Sequence, residues 1–238
     1  MSLTYTTYVS QLSNLMVVSS TNAEFQIFLP GCIDYAEQRM YRETDLLATR
    51  VTDVSGLLTP NVRTFSFPTA QGTFLVIEEI NVFTPVGAGN SSGTRNPLVM
   101  VAKEFIDTIY PSAQSNTGLP QFMAILANTT VILGPSPDSS YSVAVVGTVR
   151  PTPLSSTTTS TILTTMLPDA FMAASMVFAS GYQRDFGGQS DNPAQSASWE
   201  SEYSKLMQSV NSEEMRKKHQ SQGWTSQQPN PIATPPRV

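Results

Sequence analysis

The residues best placed to do chemistry in this 238-residue chain are a glycine-rich loop, two adjacent glutamates, a cluster of acids and bases, one cysteine and one histidine. The loop, Gly87-Ala88-Gly89-Asn90-Ser91-Ser92-Gly93, lies between a predicted strand and a predicted capped helix, where backbone amides can hold a phosphate. Its spacing is Gly-x-Gly-x3-Gly rather than the dinucleotide-binding Gly-x-Gly-x2-Gly, and no Gly-Lys-Ser/Thr triplet follows. A surface or subunit-contact loop is therefore preferred to a nucleotide-binding enzyme. Glu78 and Glu79 are neighbours in a strand, so their side chains point to opposite faces and cannot share a proton.

Asp34, Glu37, Arg39, Arg42 and Glu43 fall on the polar face of a helix, where they read as solvated charges or a subunit interface. Cys32 lies on the apolar side of the same helix with no histidine to activate it, and reads as a core thiol. A single cysteine and a single histidine, His219, exclude a zinc cluster, an internal disulfide and most catalytic triads. No enzyme activity, cofactor or metal is expected.

Composition narrows the class further. At 40% apolar residues the chain has about 95 core candidates, enough for one or two domains. Only 13% of residues are charged and the net charge is −5, which disfavours a protein that coats nucleic acid. The charges are also unevenly placed: none lies in 108–137 or in 151–168. Such neutral, Ser/Thr/Asn/Gln-rich stretches suit the centres of permanent interfaces, and equally suit polar loops and half-buried strands. The first Lys or Arg is Arg39, so no basic leader is expected, and the longest apolar stretch, 171–179, is about half of a bilayer span. A soluble protein made inside the cell is the expectation.

The elements that must carry these residues divide by period. Tyr5, Tyr8, Val9, Leu12, Leu15 and Met16 predict an amphipathic helix over 5–18. A Thr21/Glu24 capping box opens a second, with Phe25, Phe28, Leu29, Cys32, Ile33, Ala36 and Met40 on one face. Pro30 either kinks that helix or starts a new one. From 48 to about 153 the period shortens to two. Strands are predicted near Val62–Phe67, at 73–83 and at 141–149, with a hairpin at 121–126 and 130–133. One helix is predicted within this region, capped by Asn96, with Pro97 in its first turn and Pro111 as its stop.

After a Ser/Thr linker at 155–160 the helical period returns, with a wide apolar face from Ile162 to Tyr182. A turn at 185–192 leads to a last helix opened by Pro193, carrying Trp199, Tyr203, Leu206 and Val210 and the pairs Glu213/Lys217 and Glu214/Lys218. Leu29-Pro30…Ala36 and Leu167-Pro168…Ala174 share a spacing, which suggests two matched, packed helices. The fold class expected is α+β: a bundle of 1–47 with 156–220, an inserted antiparallel β-rich region at 48–155 carrying one helix, and an extended tail at 221–238.

The segment Phe28-Leu29-Pro30-Gly31-Cys32-Ile33-Asp34-Tyr35-Ala36-Glu37-Gln38-Arg39-Met40-Tyr41-Arg42-Glu43-Thr44-Asp45-Leu46, with Tyr5-Thr6-Thr7-Tyr8-Val9, resembles the head-to-tail adaptor proteins of short-tailed bacteriophages. Stretches at 142–153, 167–182 and 198–203 resemble the same family in the same order.

The resemblance implies a virion neck protein in a ring of typically twelve copies, docked beneath the portal protein, lining the DNA exit channel and presenting its far side to the tail nozzle, with the tail fibre as a further partner. Twelve copies would carry a charge of roughly −60, repelling DNA in passage rather than trapping it. In related adaptors the carboxy-terminal extension reaches the portal. Here that implies portal contact by Trp199, Arg216, Lys217, Lys218 and Trp224, the last an aromatic in a Gln/Pro-rich tail suited to ordering on binding. No membrane contact is expected. A capsid-decorating or tail-nozzle component is the structural alternative.

Overall fold

The structure, a computed structural model, describes residues 3–114, 116–183 and 193–219. The predicted turn at 185–192 and the tail at 221–238, with Trp224, lie outside the described residues.

Two helices open the chain, α1 (Tyr5–Leu15) and α2 (Ala23–Glu43). Strands β1 (Arg50–Leu57), β2 (Thr64–Ser66), β3 (Thr73–Thr84), β4 (Thr94–Pro97) and β5 (Val99–Met100) follow. Helix α3 (Lys103–Ile109) precedes β6 (Thr117–Gly118), β7 (Phe122–Ala127), β8 (Thr130–Gly134), β9 (Ser136–Pro137) and β10 (Ser142–Arg150). Helices α4 (Ile162–Met166), α5 (Pro168–Gln183) and α6 (Pro193–His219) complete the order.

The helices at the two ends of the chain share one core. Tyr8, Leu12, Leu29, Cys32, Ala36, Leu163, Phe171, Ala174 and Tyr203 are each at most 1% exposed. The Tyr8 and Phe171 rings meet at 5.1 Å, and Phe178 stacks on both Phe28 (5.4 Å) and Tyr35 (4.9 Å). Inside this core the Tyr8 hydroxyl donates to Ser175 Oγ at 2.9 Å, and the Cys32 thiol donates to the Ser175 carbonyl at 3.3 Å. That network satisfies the polar atoms of α1, α2 and α5 where they pack, and an unpaired one there would cost about 1–3 kcal/mol.

The strands build two four-stranded sheets, β1-β10-β3-β4, antiparallel throughout, and β2-β8-β7-β5. The β5–β7 and β6–β9 pairings are parallel, an exception to the antiparallel expectation. Phe65, Phe67, Phe74, Ile80, Val82, Val143, Val145 and Val149 fill a second core, with the period-two residues of β10 on its inner face as expected. Gly147, the one small residue in that series, is required: a Cβ there would collide with the backbone carbonyl of Val76 on β3.

Four local expectations are corrected. The α2 cap is Asn22, whose side chain accepts from the backbone N–H groups of Glu24 (2.8 Å) and Phe25 (3.3 Å), not a Thr21/Glu24 box. Helix α2 runs through Pro30 without a restart, with Pro30 and Gly31 on its exposed side. The helix expected from Asn96 starts only at Lys103, because Asn96 belongs to β4. Its amide donates to Val82 and Thr94 carbonyls and to Thr84 Oγ1, each at 3.1 Å, and Leu98 N–H bonds Ile80. Pairing with β3 outweighs the local helix signal. The single apolar helix expected from Ile162 is two: Thr161 and Thr164 cap α4 reciprocally, and Pro168 excludes helical geometry at Leu167, so α5 starts afresh.

Candidate assembly surface

The glycine-rich loop is not a phosphate cradle. It joins β3 to β4, two antiparallel strands, so no helix N-terminus follows it. Its amides are turned inward: Gly93 N–H donates to Gly89 O at 2.8 Å, Ser92 N–H to the same carbonyl at 3.2 Å, and Gly89 N–H to Ser92 Oγ at 3.3 Å. Gly87, with φ of +82°, and Gly89 face open space. What remains is an exposed hairpin tip. Among the described residues no group of three or more His, Cys, Asp or Glu could hold a metal ion, and no helix is long and apolar enough to cross a membrane.

The acid and base cluster on α2 divides, and only Arg39 and Glu43 engage α6. Arg39 forms a two-pronged bond to Glu200, at 2.8 and 2.5 Å, bonds Glu43 at 2.8 Å, and lies 4.3 Å over the Tyr203 ring. Glu43 also accepts the Tyr203 hydroxyl at 2.7 Å. The Glu200 bond raises the Arg39 pKa further, and the guanidinium holds the Glu200 carboxyl below its usual range. Burial, then Glu43, pushes the Tyr203 hydroxyl up. These residues clasp α2 to α6 within one chain. Asp34, bonded to Gln38, and Arg42 stay exposed.

Glu37 leaves the set expected on the polar face. It is 4% exposed, and its Oε1 accepts the backbone N–H of Leu154 at 3.0 Å, between β10 and α4. Burial pushes its carboxyl up to about 7, against the lowering effect of the Leu154 bond and with a smaller upward push from Asp34. An acid two residues from Arg39 and three from Asp34 looks like surface in sequence. The only hint was its place between Ile33 and Met40 on the apolar side of the helical wheel.

On α6, Tyr203, Met207 and Val210 are buried while Trp199 and Leu206 are half-buried against the same core. Glu213 pairs with Lys217 as expected, at 2.6 Å. The Glu214/Lys218 pair does not form. Glu214 is 6% exposed and accepts from Leu47 N–H and Lys217, both at 2.8 Å, while Lys218 reaches Asp45 at 2.5 Å. Burial alone would raise the Glu214 carboxyl, but Lys217 and the Leu47 amide together hold it below its usual range. Arg216 is exposed. Trp199 sits about 25 Å along the helix from Arg216, Lys217 and Lys218, so these four, the described members of the expected portal-contact set, do not form one patch. A cleft of about 530 Å³ between α1, α5 and α6, lined by Trp199 and Leu206, has no counterpart in the sequence reading.

Comparison with known families decides the identity. A family described as SU10 adaptor protein matches residues 3–230, nearly the whole chain. The chain belongs to this adaptor family. It is thus a phage adaptor, a structural protein of the virion neck that associates with portal and tail components. No curated protein matches the sequence. In this adaptor the α2–α6 clasp ties the two ends of the chain together.

Proposed function

We propose that this adaptor assembles side by side into a ring, typically of twelve copies, beneath the portal, joins it to the tail nozzle and fibres, and lines the channel through which DNA leaves. The family match over 3–230 carries this reading. The neutral stretches at 108–137 and 151–168 support it, since they allow copies to meet without desolvating charge. Three parts divide the work: 1–47 with 156–220 as a rigid bundle, 48–155 as a β-rich insertion, and 221–238 as an extended tail. The tail, with Trp224, and the end of α6, with Arg216, Lys217 and Lys218, bind the portal. Asp34 and Arg42, the exposed members of the α2 set that take no part in the clasp to α6, contact neighbouring copies.

Mixing the protein with portal protein and imaging by electron microscopy tests the ring. Portal-capping annuli are expected, and portal left bare at saturating protein would refute the reading. Deleting 221–238 is expected to weaken portal binding at least tenfold. Unchanged affinity would remove the tail from the contact.

A further inference from the structure

The cleft between α1, α5 and α6 has apolar walls from Leu3, Met172, Trp199 and Leu206 and an acidic rim from the exposed Asp169 and Glu202. Its chemistry suits a flexible apolar side chain with a positive charge beside it. Among the described residues of α6, Met215 is the one large apolar side chain that is exposed, at 56%, and the next residue is the exposed Arg216. An unbranched thioether adapts to an irregular cleft, and a guanidinium beside it complements the carboxylates on the rim.

Both features lie on the same helix, on opposite flanks. At about 100° per residue, Met215 is about 180° around α6 from Leu206 and about 160° from Trp199. Tyr203 and Val210 point into the core between these flanks. The flank of Met215 continues through Ser204, Gln208 and Asn211, all exposed and none charged, so nothing there opposes close approach. A subunit with a hole on one flank and a knob on the other cannot satisfy both within an isologous pair. It joins head to tail, and such contacts give a ring where the rotation closes, which the ring reading supplies.

We propose that Met215 and Arg216 of one copy seat in the α1–α5–α6 cleft of the next copy, with Met215 between Met172 and Trp199 and Arg216 against Asp169 and Glu202. This rests on the ring reading, names the contact that builds the ring, and reassigns Arg216 from the portal to the neighbouring copy, leaving Lys217 and Lys218 at the portal. Rotation about a closed axis has no rise, so knob and hole sit at one height although Met215 is about 14 Å along α6 from Leu206 and about 24 Å from Trp199. Helix α6 therefore runs oblique to the ring axis.

Disulfide trapping in portal-capped complexes tests the contact, because the one native cysteine, Cys32, is buried and silent. The double variant Gln11→Cys/Met215→Cys, with Gln11 on the exposed edge of the cleft, is expected to give on oxidation a ladder of dimers, trimers and higher multimers, while each single variant gives none. Met215→Asp, which sets a carboxylate against the acidic rim, is expected to lower ring yield at least tenfold with an unchanged monomer melting temperature, and Met215→Leu to restore assembly. Rings without the ladder, or full ring yield from Met215→Asp, would overturn the contact and leave the ring standing. Failure of the unaltered protein to form rings would overturn the ring and this contact together.

Discussion

Glu37 and Leu154, 117 residues apart in sequence, are joined by a hydrogen bond from backbone N–H to buried carboxylate. Glu214 makes the same kind of bond to Leu47. The two chain connections that run between the helices and the strands are thus each pinned by a buried glutamate of the bundle, one from α2 and one from α6. A loop amide held by a carboxylate has one allowed position, so these bonds fix how the β-rich insertion leaves the bundle.

Glu37 makes stability depend on pH in a definite direction. Its pKa is 4.5 as the reference value and about 7 in the folded chain, so between these limits the folded state binds more protons than the unfolded state. Its contribution is fully present below about pH 4.5 and is lost as pH rises through 7, by up to about 3 kcal/mol. Glu37→Gln keeps an oxygen for Leu154 and cannot ionise. Thermal melts at pH 5 and pH 8 are expected to show the variant near the parent at pH 5 and more stable at pH 8. A gap that does not change with pH would contradict the buried, pressed-up carboxyl.

Arg39 is the hub of the α2–α6 clasp, and its planar fork cannot be replaced by an ammonium. Arg39→Lys loses the two-pronged geometry to Glu200 and the stacking on Tyr203. Glu200 keeps 44% of its side chain in solvent, so screening limits the effect to about 1–2 kcal/mol by urea unfolding. In a double-mutant cycle, Arg39→Lys and Glu200→Gln are expected to be less than additive by about 1 kcal/mol. Simple additivity would mean the two side chains do not act together.

The parts of this structure legible in sequence are those set by periodicity within one element. The apolar stripes around Tyr8, Leu12, Cys32 and Phe171 place these residues in one core, and the alternation in β10 names its buried face. The parts that were not legible depend on partners distant in sequence. Asn96-Pro97 has the form of a helix start, and only β3, pairing from Asn81 to Thr84, makes it a strand. Glu37 and Glu214 look like surface acids until the two connections arrive to use them. The cleft beside Trp199 exists only where three helices from both ends of the chain meet. The resemblance at 28–46 is legible because that motif serves the bundle core, where local pattern and tertiary packing agree.

Two glycines separate a structural requirement from an open loop. Gly147→Ala drives a methyl group into the Val76 carbonyl in the centre of the first sheet, where backbone rather than side chain must move. A loss of about 3 kcal/mol or more, or failure to fold, is expected. Gly89→Ala, with nothing within 4 Å, is expected to change stability by less than about 0.5 kcal/mol. Titration calorimetry of the unaltered protein with ATP and Mg²⁺ is expected to show no binding heat. A saturable signal abolished by a change at Gly89 would restore the loop as a ligand site.

Cys32 tests whether the bundle core opens without global unfolding. Burial raises its thiol to about 11, partly countered by the bonds to Tyr8 and Ser175, so the reactive thiolate is scarce at pH 8 and the sulfur is out of reach. A thiol reagent at pH 8 is expected to label the folded protein only at the rate of unfolding, and within seconds in denaturant. Because Cys32 bridges α1 through Tyr8 and α5 through Ser175, its labelling rate reports the union of the two ends of the chain. The Tyr8→Phe variant removes the hydroxyl donor to Ser175 and is expected to raise that rate, by about fivefold for each 1 kcal/mol of stability lost. Fast labelling of the unaltered protein in native buffer would mean that α1 detaches from the bundle far more readily than its buried polar network allows.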